Sequence, residues 1–252
     1  YIQKDGIANP QNFVAHRLAM IRFSQIIGAL ASAYKLTGQE KYVKQAMLPL
    51  QAWFIRQGTM MNPNLQFAQA IKGRFTGRGI GIIDTIQLME VAQGVIVMQK
   101  SLARAVLAGT RKWFAAYLEW LMTHQYGKDE MNAANNHGTC FTMQVASFAK
   151  LCGDVKLMDF CRDRYKTVLL PNQMATDGSF PRELARTKPY GSSIFNLDAM
   201  TALCQILSTK NDNLWTYQTA DGKSIEKGIK YLYPFVADKN KWTLKPDVMY
   251  WD

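Results

Sequence analysis

Helical periodicity is the feature of this sequence that most constrains its fold. Nearly every apolar segment repeats its hydrophobic side chains every three or four residues, and none alternates them as a strand does. The spacing predicts a long first helix, lined by apolar residues from Leu18 to Ala33 and ending near Gly38. It predicts further helices at residues 40–57, 82–99, 102–124, 139–151, 155–170, 193–208 and 224–236, with longer loops at 59–81 and 174–192. We therefore expect an all-α protein.

Two helix ends in the sequence resemble each other. Leu36-Thr37-Gly38 and Leu151-Cys152-Gly153 each place a glycine where a helix stops and an acidic or amide residue begins the next one. Repeated helical hairpins either close into an (α/α) toroid or open into a solenoid, and the period here is too irregular for the common solenoid families. We expect an (α/α) toroid, or barrel, forming a single domain over residues 1–252. Its loops would gather at one end, so the two long loops are where chemistry is expected.

Composition and charge narrow the classes of partner. The chain has 252 residues, 48% of them hydrophobic, which excludes a disordered protein. Its formal net charge of +11 favours a polyanion: nucleic acid, anionic lipid or acidic polysaccharide. No recognition helix or aromatic RNA-binding sheet is evident, so nucleic acid is not expected. No apolar run approaches the roughly 20 residues of a membrane span, so membrane insertion is not expected either.

The cysteines and the chain ends carry two smaller expectations. Cys140, Cys152, Cys161 and Cys204 lack CxxC spacing, and histidines and carboxylates are too sparse for a credible metal site. We therefore expect no metal and no cofactor.

The chain starts at Tyr1 without a signal peptide and stops at Asp252, so we expect flanking parts of the native protein to be absent at one or both ends.

The segment Asn135-Asn136-His137-Gly138-Thr139 has the composition of a proton-transfer site. Thr139 can cap the apolar run that follows, which predicts that His137 lies at the mouth of a helix rather than inside it. An imidazole flanked by carboxamide donors suits acid–base chemistry on an anionic substrate. The alternative is a capping turn with an incidental histidine.

Both long loops contain groups suited to binding acidic sugars. The first loop holds Gln66, Gln69, Arg74 and Arg78, and its glycines, Gly77-Arg78-Gly79-Ile80-Gly81, would let backbone and guanidinium approach a ligand. The second holds the segment Glu183-Leu184-Ala185-Arg186-Thr187-Lys188. Carboxamides and arginines favour contact with oligosaccharide or carboxylate, and the alternative for the first loop is a mobile surface segment.

Taken together, these segments and Phe195-Asn196-Leu197 resemble the alginate-lyase-type polysaccharide lyases, closest to polysaccharide lyase family 38 and more distantly family 5. The resemblance implies an (α/α) barrel and metal-independent β-elimination of a 1,4-linked polyuronate, which leaves a 4,5-unsaturated uronic acid. The implied substrate is alginate, chiefly its mannuronate-rich stretches, with glucuronan as the near alternative. The resemblance also implies export to the periplasm or the cell exterior, and it leaves the oligomeric state open.

The resemblance assigns roles to individual residues. Asn136 and Arg186 would neutralise the substrate carboxylate, and His137 would remove the proton at C5 of the uronate. Beyond the roles that the resemblance implies, the residue types and positions make Gln66, Gln69, Arg74, Arg78, Asn135 and Lys188 lower-ranked candidates for contact with substrate. Glu183 would orient Arg186 rather than act as an acid.

One departure from the family pattern concerns the general acid, the residue that gives a proton to the departing sugar. The resemblance implies a tyrosine about six or seven residues beyond Arg186, and Ser192 falls at that position in this chain. Tyr190 is a possible substitute, or the chain is an inactivated variant, or it is a natural relative that binds a polyuronate without cleaving it. A glycoside hydrolase is a third class, and it would need Asp177 and Glu183 as its two opposed carboxylates.

Overall fold

The computed structural model describes Asp5, Ile7 and residues 14–251. The α-helices of these residues are α1 (Val14–Thr37), α2 (Glu40–Phe54), α3 (Leu88–Met98), α4 (Arg104–Thr123), α5 (Gln125–Met131), α6 (Asn136–Cys152), α7 (Val155–Arg164), α8 (Leu170–Gln173), α9 (Pro181–Leu184), α10 (Pro189–Leu207) and α11 (Ile225–Ala237). Two 3-10 segments, Gly79–Gln87 and Lys239–Lys241, and a π-helical segment, Tyr165–Leu169, accompany them. Within the described residues there is no strand, only isolated bridges joining Ile71 to Phe75 and Gln218 to Ser224.

The chain divides into two compact units. One comprises the described residues of Tyr1–Asn9, Asp129–Ala146 and Lys156–Asp252, and the other comprises those of Pro10–Lys128 and Ser147–Val155. We call them the catalytic-motif unit and the α1–α4 unit. The prediction of a single domain over residues 1–252 stays a prediction.

The core of the α1–α4 unit depends on close contact between helices. A Cβ on Gly94 of α3 would lie 2.9 Å from the Cγ2 of Ile27 in α1. A Cβ on Gly28 would lie 2.3 Å from the Oε1 of Glu90. Because neither glycine has a side chain, each leaves room for a side chain of the other helix, and α1 and α3 pack closely. The rings of Phe54, Trp113, Phe114 and Phe148 form an aromatic cluster in the same unit.

The catalytic-motif unit packs α10 and α11 against the chain that precedes them. A Cβ on Gly228 of α11 would lie 2.8 Å from the Cε of Met174 and 3.0 Å from the Cδ1 of Leu197. Gly178 has φ +93°, and a Cβ there would lie 2.3 Å from the carbonyl oxygen of Lys227. Ser224 caps α11, because its Oγ accepts the backbone N–H of Lys227 at 3.3 Å.

The helices predicted from periodicity are largely confirmed, with instructive exceptions at their ends. The predicted helix 82–99 begins as the 3-10 segment Gly79–Gln87 and becomes α-helical only at Leu88. The predicted loop 174–192 contains α9 and the first turn of α10. The buried stripe of α1 includes Met20, Phe23, Ile27 and Ala31, whereas Leu18 is 54% exposed.

The resemblance between the two helix ends is confirmed. Gly38 and Gly153 have φ of +69° and +74°, the left-handed conformation in which a glycine ends a helix. The N–H of Gly38 donates to the carbonyl of Tyr34 at 2.7 Å, and the N–H of Asp154 donates to that of Ala149 at 2.9 Å.

One helical stretch is long and apolar enough to cross a membrane by length and composition. It is Gly79–Met98, with a mean hydropathy of 1.5 and 44% of its window buried. The sequence was expected to contain no apolar run of this length, and this stretch reaches it although it includes Asp84 and Glu90. Leu88, Val91 and Val95 of this stretch are fully buried, as in the core helix of a protein folded in water.

Candidate active site

The candidate site begins at the N-terminus of α6. The helix starts at Asn136, so His137 lies in its first turn, and the predicted position outside the helix is wrong. The side-chain oxygen of Asn135 accepts the backbone N–H of His137 at 3.2 Å, which satisfies one of the donors that a helix start leaves open. Thr139 is not the cap, since it lies within α6 and its hydroxyl donates to the Oε1 of Gln173 at 2.9 Å.

Glycine is required beside the histidine for a steric reason. A Cβ on Gly138 would lie 2.2 Å from the carbonyl oxygen of Ala133. The chain entering α6 therefore packs directly on the first helical turn, which fixes where His137 is presented.

His137 is paired with a buried carboxylate that the sequence reasoning missed. Its Nδ1 lies 2.6 Å from the Oε1 of Glu130, at the end of α5. The side chain of Glu130 is 2% exposed and that of His137 is 18% exposed. With a carboxylate oxygen as the acceptor of this hydrogen bond, the imidazole proton is on Nδ1 and the lone pair is left on Nε2. The geometry thus prepares Nε2 to accept a proton.

Asn136 and Glu183 form the second pair of the site. The backbone N–H of Asn136 donates to Oε1 of Glu183 at 2.6 Å, and its Nδ2 donates to Oε2 at 2.6 Å. Both residues are buried. Burial raises the pKa of Glu183, while hydrogen bonds from Asn136 and the charges of Arg186 and His137 oppose the rise. Glu183 therefore holds Asn136 in one orientation.

Arg186 stands between two carboxylates. Its Nη1 lies 3.8 Å from the Oε2 of Glu183, and its Nη2 donates to the Oδ1 of Asp5 at 3.0 Å. The hydroxyl of Thr187 donates to the other oxygen of Asp5 at 2.8 Å. The contact with Glu183 matches the orienting role expected from the sequence, although Glu183 makes its shorter hydrogen bonds to Asn136.

A buried amide network lies behind the start of α6. The Nε2 of Gln173 donates to the backbone oxygen of Asn135 at 3.0 Å, and its Oε1 accepts from Thr139. The Nδ2 of Asn196 donates to the same Oε1 at 3.0 Å. Gln173 and Asn196 are both buried, so this network immobilises the segment that carries Asn135, Asn136 and His137.

Ser192 and Tyr190 lie in the first turn of α10 rather than in a loop. Asp247 caps this turn, its two oxygens accepting the backbone N–H groups of Tyr190 and Gly191 at 3.0 Å each. The hydroxyl of Tyr190 donates to the carbonyl of Phe235 at 3.2 Å. Its ring packs edge-on against Trp242 and Trp251. The contacts of Tyr190 are thus those of a packing residue.

Lys188 precedes α10 and is half-buried. Its Nζ lies 5.2 Å from the centre of the Tyr250 ring, a cation–π contact. Its predicted contact with substrate stays a prediction.

The remaining predicted contacts lie in the α1–α4 unit. Arg78 donates from Nε to the backbone oxygen of Gln69 at 2.9 Å, and Gln69 donates from Nε2 to Asp84 at 3.2 Å. Gln69 has φ +49°, an uncommon conformation for a residue with a side chain. Gln66 is half-buried and Arg74 is exposed.

Two glycines of this loop are required for a steric reason. A Cβ on Gly77 would lie 1.9 Å from the carbonyl oxygen of Gln66, and one on Gly81 would lie 2.4 Å from the Cβ of Ala68. They let the loop pack on itself, and the expectation that the loop's glycines let a ligand approach stays a prediction. A cavity of about 380 Å³ lies nearby, lined by Ala70, Lys72, Gly73, Arg74, Phe75 and Thr76.

The pair of carboxylates that a glycoside hydrolase would need finds no support in the geometry. Glu183 is 1% exposed and holds Asn136. Asp177 accepts the backbone N–H of Ser179 at 2.9 Å, and this hydrogen bond is the main reason that the pKa of Asp177 is lowered. Asp177 is exposed, but Glu183 is buried and already engaged by Asn136, so the two do not form the pair of accessible carboxylates that a hydrolase needs.

The described residues contain no group of three or more His, Cys, Asp or Glu side chains arranged to hold a metal ion, and their four cysteines are free thiols. The expectation that the protein uses no cofactor stays a prediction.

Three comparisons place these observations among known proteins. The model of the alginate lyase family matches residues 1–242. Among solved structures, an alginate lyase from Bacteroides ovatus is 33% identical with a TM-score of 0.92, and the match covers 100% of this chain and 67% of that one. No protein with a curated description matches the chain.

More distant solved structures share the fold. The histidine-to-alanine variant of alginate lyase A1-III complexed with tetrasaccharide is 16% identical with a TM-score of 0.73, covering 98% of this chain and 67% of that one. The tyrosine-to-phenylalanine variant, also complexed with tetrasaccharide, is 16% identical with a TM-score of 0.72, covering 95% of this chain and 64% of that one.

This chain thus spans about two thirds of the length of the structures it matches. The predicted fold class, an all-α (α/α) toroid, is confirmed by the similarity. With the family match extending over residues 1–242 and 33% identity to a solved alginate lyase, the chain belongs to the alginate lyase family of polysaccharide lyases.

Proposed function

We propose that this chain cleaves alginate, chiefly its mannuronate-rich stretches, by β-elimination without a metal or another cofactor. The observation that carries the proposal is the group of Asn136, His137, Glu130, Glu183 and Arg186 in a member of the alginate lyase family. Two structures of similar fold, both of A1-III variants, are complexes with a tetrasaccharide. We propose export to the periplasm or cell exterior, where such a polymer would be met.

In the proposed reaction the Nε2 of His137 takes the proton from C5 of the uronate. The electron pair of the C5–H bond forms the C4=C5 double bond, and the C4–O4 bond breaks. Glu130 supports this step, since it fixes the tautomer and accepts from the imidazole as positive charge develops. A positioned base of this kind typically contributes about 10²–10⁴-fold to the rate.

Arg186 and Asn136 would stabilise the charge that develops beside the C5 carbanion. The carboxylate next to C5 is already negative, so removal of the proton builds a second charge close to the first. A donor placed against that charge contributes on the order of 3 kcal/mol. Arg186 can grip a carboxylate with two N–H groups, and Glu183 keeps the carboxamide of Asn136 aligned.

The acid that protonates the departing O4 is the open part of the mechanism. By the resemblance drawn from the sequence, Ser192 occupies the position of the family's tyrosine, and an alcohol is shorter and far less acidic than a phenol. Tyr190 is the phenol nearest to Ser192 along the chain, but its hydroxyl donates a hydrogen bond to the carbonyl of Phe235. These two observations favour a second candidate function, a protein that binds polyuronates without cleaving them.

The test is the ultraviolet absorbance of the unsaturated product, measured over polymannuronate, polyguluronate and glucuronan. Wild type would run beside Ser192→Tyr, His137→Ala and Tyr190→Phe. Absorbance from wild type that disappears in His137→Ala would support a lyase. Absorbance only after Ser192→Tyr, with oligosaccharide binding by wild type, would favour the non-cleaving protein.

Two results would contradict the proposal. One is the absence of unsaturated product from every polyuronate, including with Ser192→Tyr. The other is new reducing ends without a double bond, which would indicate a hydrolase. Strong preference for glucuronan over polymannuronate would replace the proposed substrate and keep the reaction.

A further inference from the structure

The carboxylate of Asp5 is bound by two donors in the way a ligand carboxylate would be. Its Oδ1 accepts from the Nη2 of Arg186 at 3.0 Å, and its Oδ2 accepts from the hydroxyl of Thr187 at 2.8 Å. Each oxygen thus has a donor of its own, supplied by consecutive residues of the segment that precedes α10.

The acidic groups around Arg186 leave its positive charge little capacity to attract another carboxylate. Its guanidinium already lies 3.8 Å from the buried carboxyl of Glu183 on one side, and Asp5 is on the other. A substrate carboxylate arriving at Arg186 would be the third acidic group around a single cation. Binding is therefore more favourable if Asp5 leaves when the substrate arrives.

We infer that Asp5 occupies the binding position of a uronate carboxylate, in which Arg186 and Thr187 are the donors. Substrate then displaces Asp5 from these two residues. Thr187 is then a substrate-binding residue, and Asp5 is an internal competitor. The inference rests on the proposed function only in naming a polyuronate as the ligand.

The exposure of the pair favours a competitor over a fixed positioning residue. The Asp5 side chain is 52% exposed and the Arg186 side chain is 28% exposed, so water and salt screen their attraction. Exposed ion pairs of this kind are weak, whereas the hydrogen bonds from Asn136 hold Glu183 in a buried position. Asp5 is the partner that can be exchanged.

The experiment measures the Kd of a mannuronate tetrasaccharide by titration calorimetry, which needs no turnover. Asp5→Asn keeps the shape of the side chain and removes its charge, so we expect binding about two- to fivefold tighter than wild type. Thr187→Val should weaken binding by about tenfold, while Thr187→Ser, which keeps the hydroxyl, should bind within about twofold of wild type.

The matched control is Glu226→Gln. Glu226 is an exposed acid on α11 whose Oε1 pairs with Lys230, so its removal changes the net charge as Asp5→Asn does, but away from Arg186. The Kd of Glu226→Gln for the tetrasaccharide should equal that of wild type. Equal tightening by Glu226→Gln and Asp5→Asn would overturn the inference, because a general charge effect would explain both.

Unchanged or weaker binding by Asp5→Asn would also overturn the inference and leave the proposed function standing. So would unchanged binding by Thr187→Val. Absence of binding by wild type and every variant would overturn the proposed function, and the inference with it.

Discussion

At the scale of single residues, Glu130 and Glu183 are both buried acids, and each holds a different member of the site. Glu130 bonds the imidazole of His137, and Glu183 bonds the backbone and side chain of Asn136. Both pairs join side chains from different helices, so each depends on how those helices pack.

Replacing Glu130 by Gln should lower kcat about 10- to 100-fold and change KM little. The substitution preserves volume but removes the charge that stabilises the imidazolium and selects its tautomer. The measurement is the initial rate of absorbance change, in wild type or in the Ser192→Tyr background, whichever turns over. An unchanged kcat would show that the pair is structural only.

The raised pKa of Glu183 predicts that the free energy of unfolding depends on pH. Burial raises its pKa above the ordinary value of about 4.5, so the folded protein binds this proton more tightly than the unfolded chain does. The stabilising contribution is complete below the ordinary value and is lost as pH rises through the raised one. In urea unfolding, the advantage of wild type over Glu183→Gln should therefore shrink as the pH rises above about 4.5.

Asp221 provides a control for which the expected change of stability with pH has the opposite sign. Hydrogen bonds from Thr219 and Lys223 lower the pKa of Asp221, so its contribution is present at neutral pH and lost as pH falls. The advantage of wild type over Asp221→Asn should grow with pH. The same trend for both pairs would contradict the assignment of Glu183.

At the scale of elements, the first long loop is held by its glycines. Gly77→Ala should reduce the free energy of unfolding by about 1–3 kcal/mol, because the new methyl group would overlap the carbonyl of Gln66. Gly58→Ala is the control, since a Cβ there meets nothing within 4 Å, and it should change stability by less than about 0.5 kcal/mol. Urea unfolding measures both, and equal effects would exclude the close approach as the cause.

At the scale of the whole molecule, the net charge of +11 governs association with a polyanion. We expect the Kd for polymannuronate to rise about tenfold or more between about 0.05 and about 0.5 M NaCl, because salt screens this attraction. A neutral glucan of similar length is the control and should show no comparable change. A salt-independent Kd for polymannuronate would mean that the surface charge takes no part in binding.

Much of the fold could be predicted from the sequence, because helical periodicity and glycine helix ends are local patterns. The composition of the segment around His137 marked it as a candidate for proton transfer, whereas the roles of Asn136 and Arg186 were predicted only through the resemblance to the family. The pattern missed α5, Gln125–Met131, because this helix is short and polar, and Glu130 was missed with it. The use of Gly77 was missed because its contact lies across the loop.

The order of residues along this chain thus decides its helices, its helix ends and the types of side chain available for proton transfer. Only the tertiary structure decides which carboxylate each of them meets. Asn136 and Glu183 are 47 positions apart, and Arg186 and Asp5 are 181 positions apart. Such pairs form only when packing brings distant segments together, and burial then determines which carboxyl holds its partner firmly and which can be exchanged.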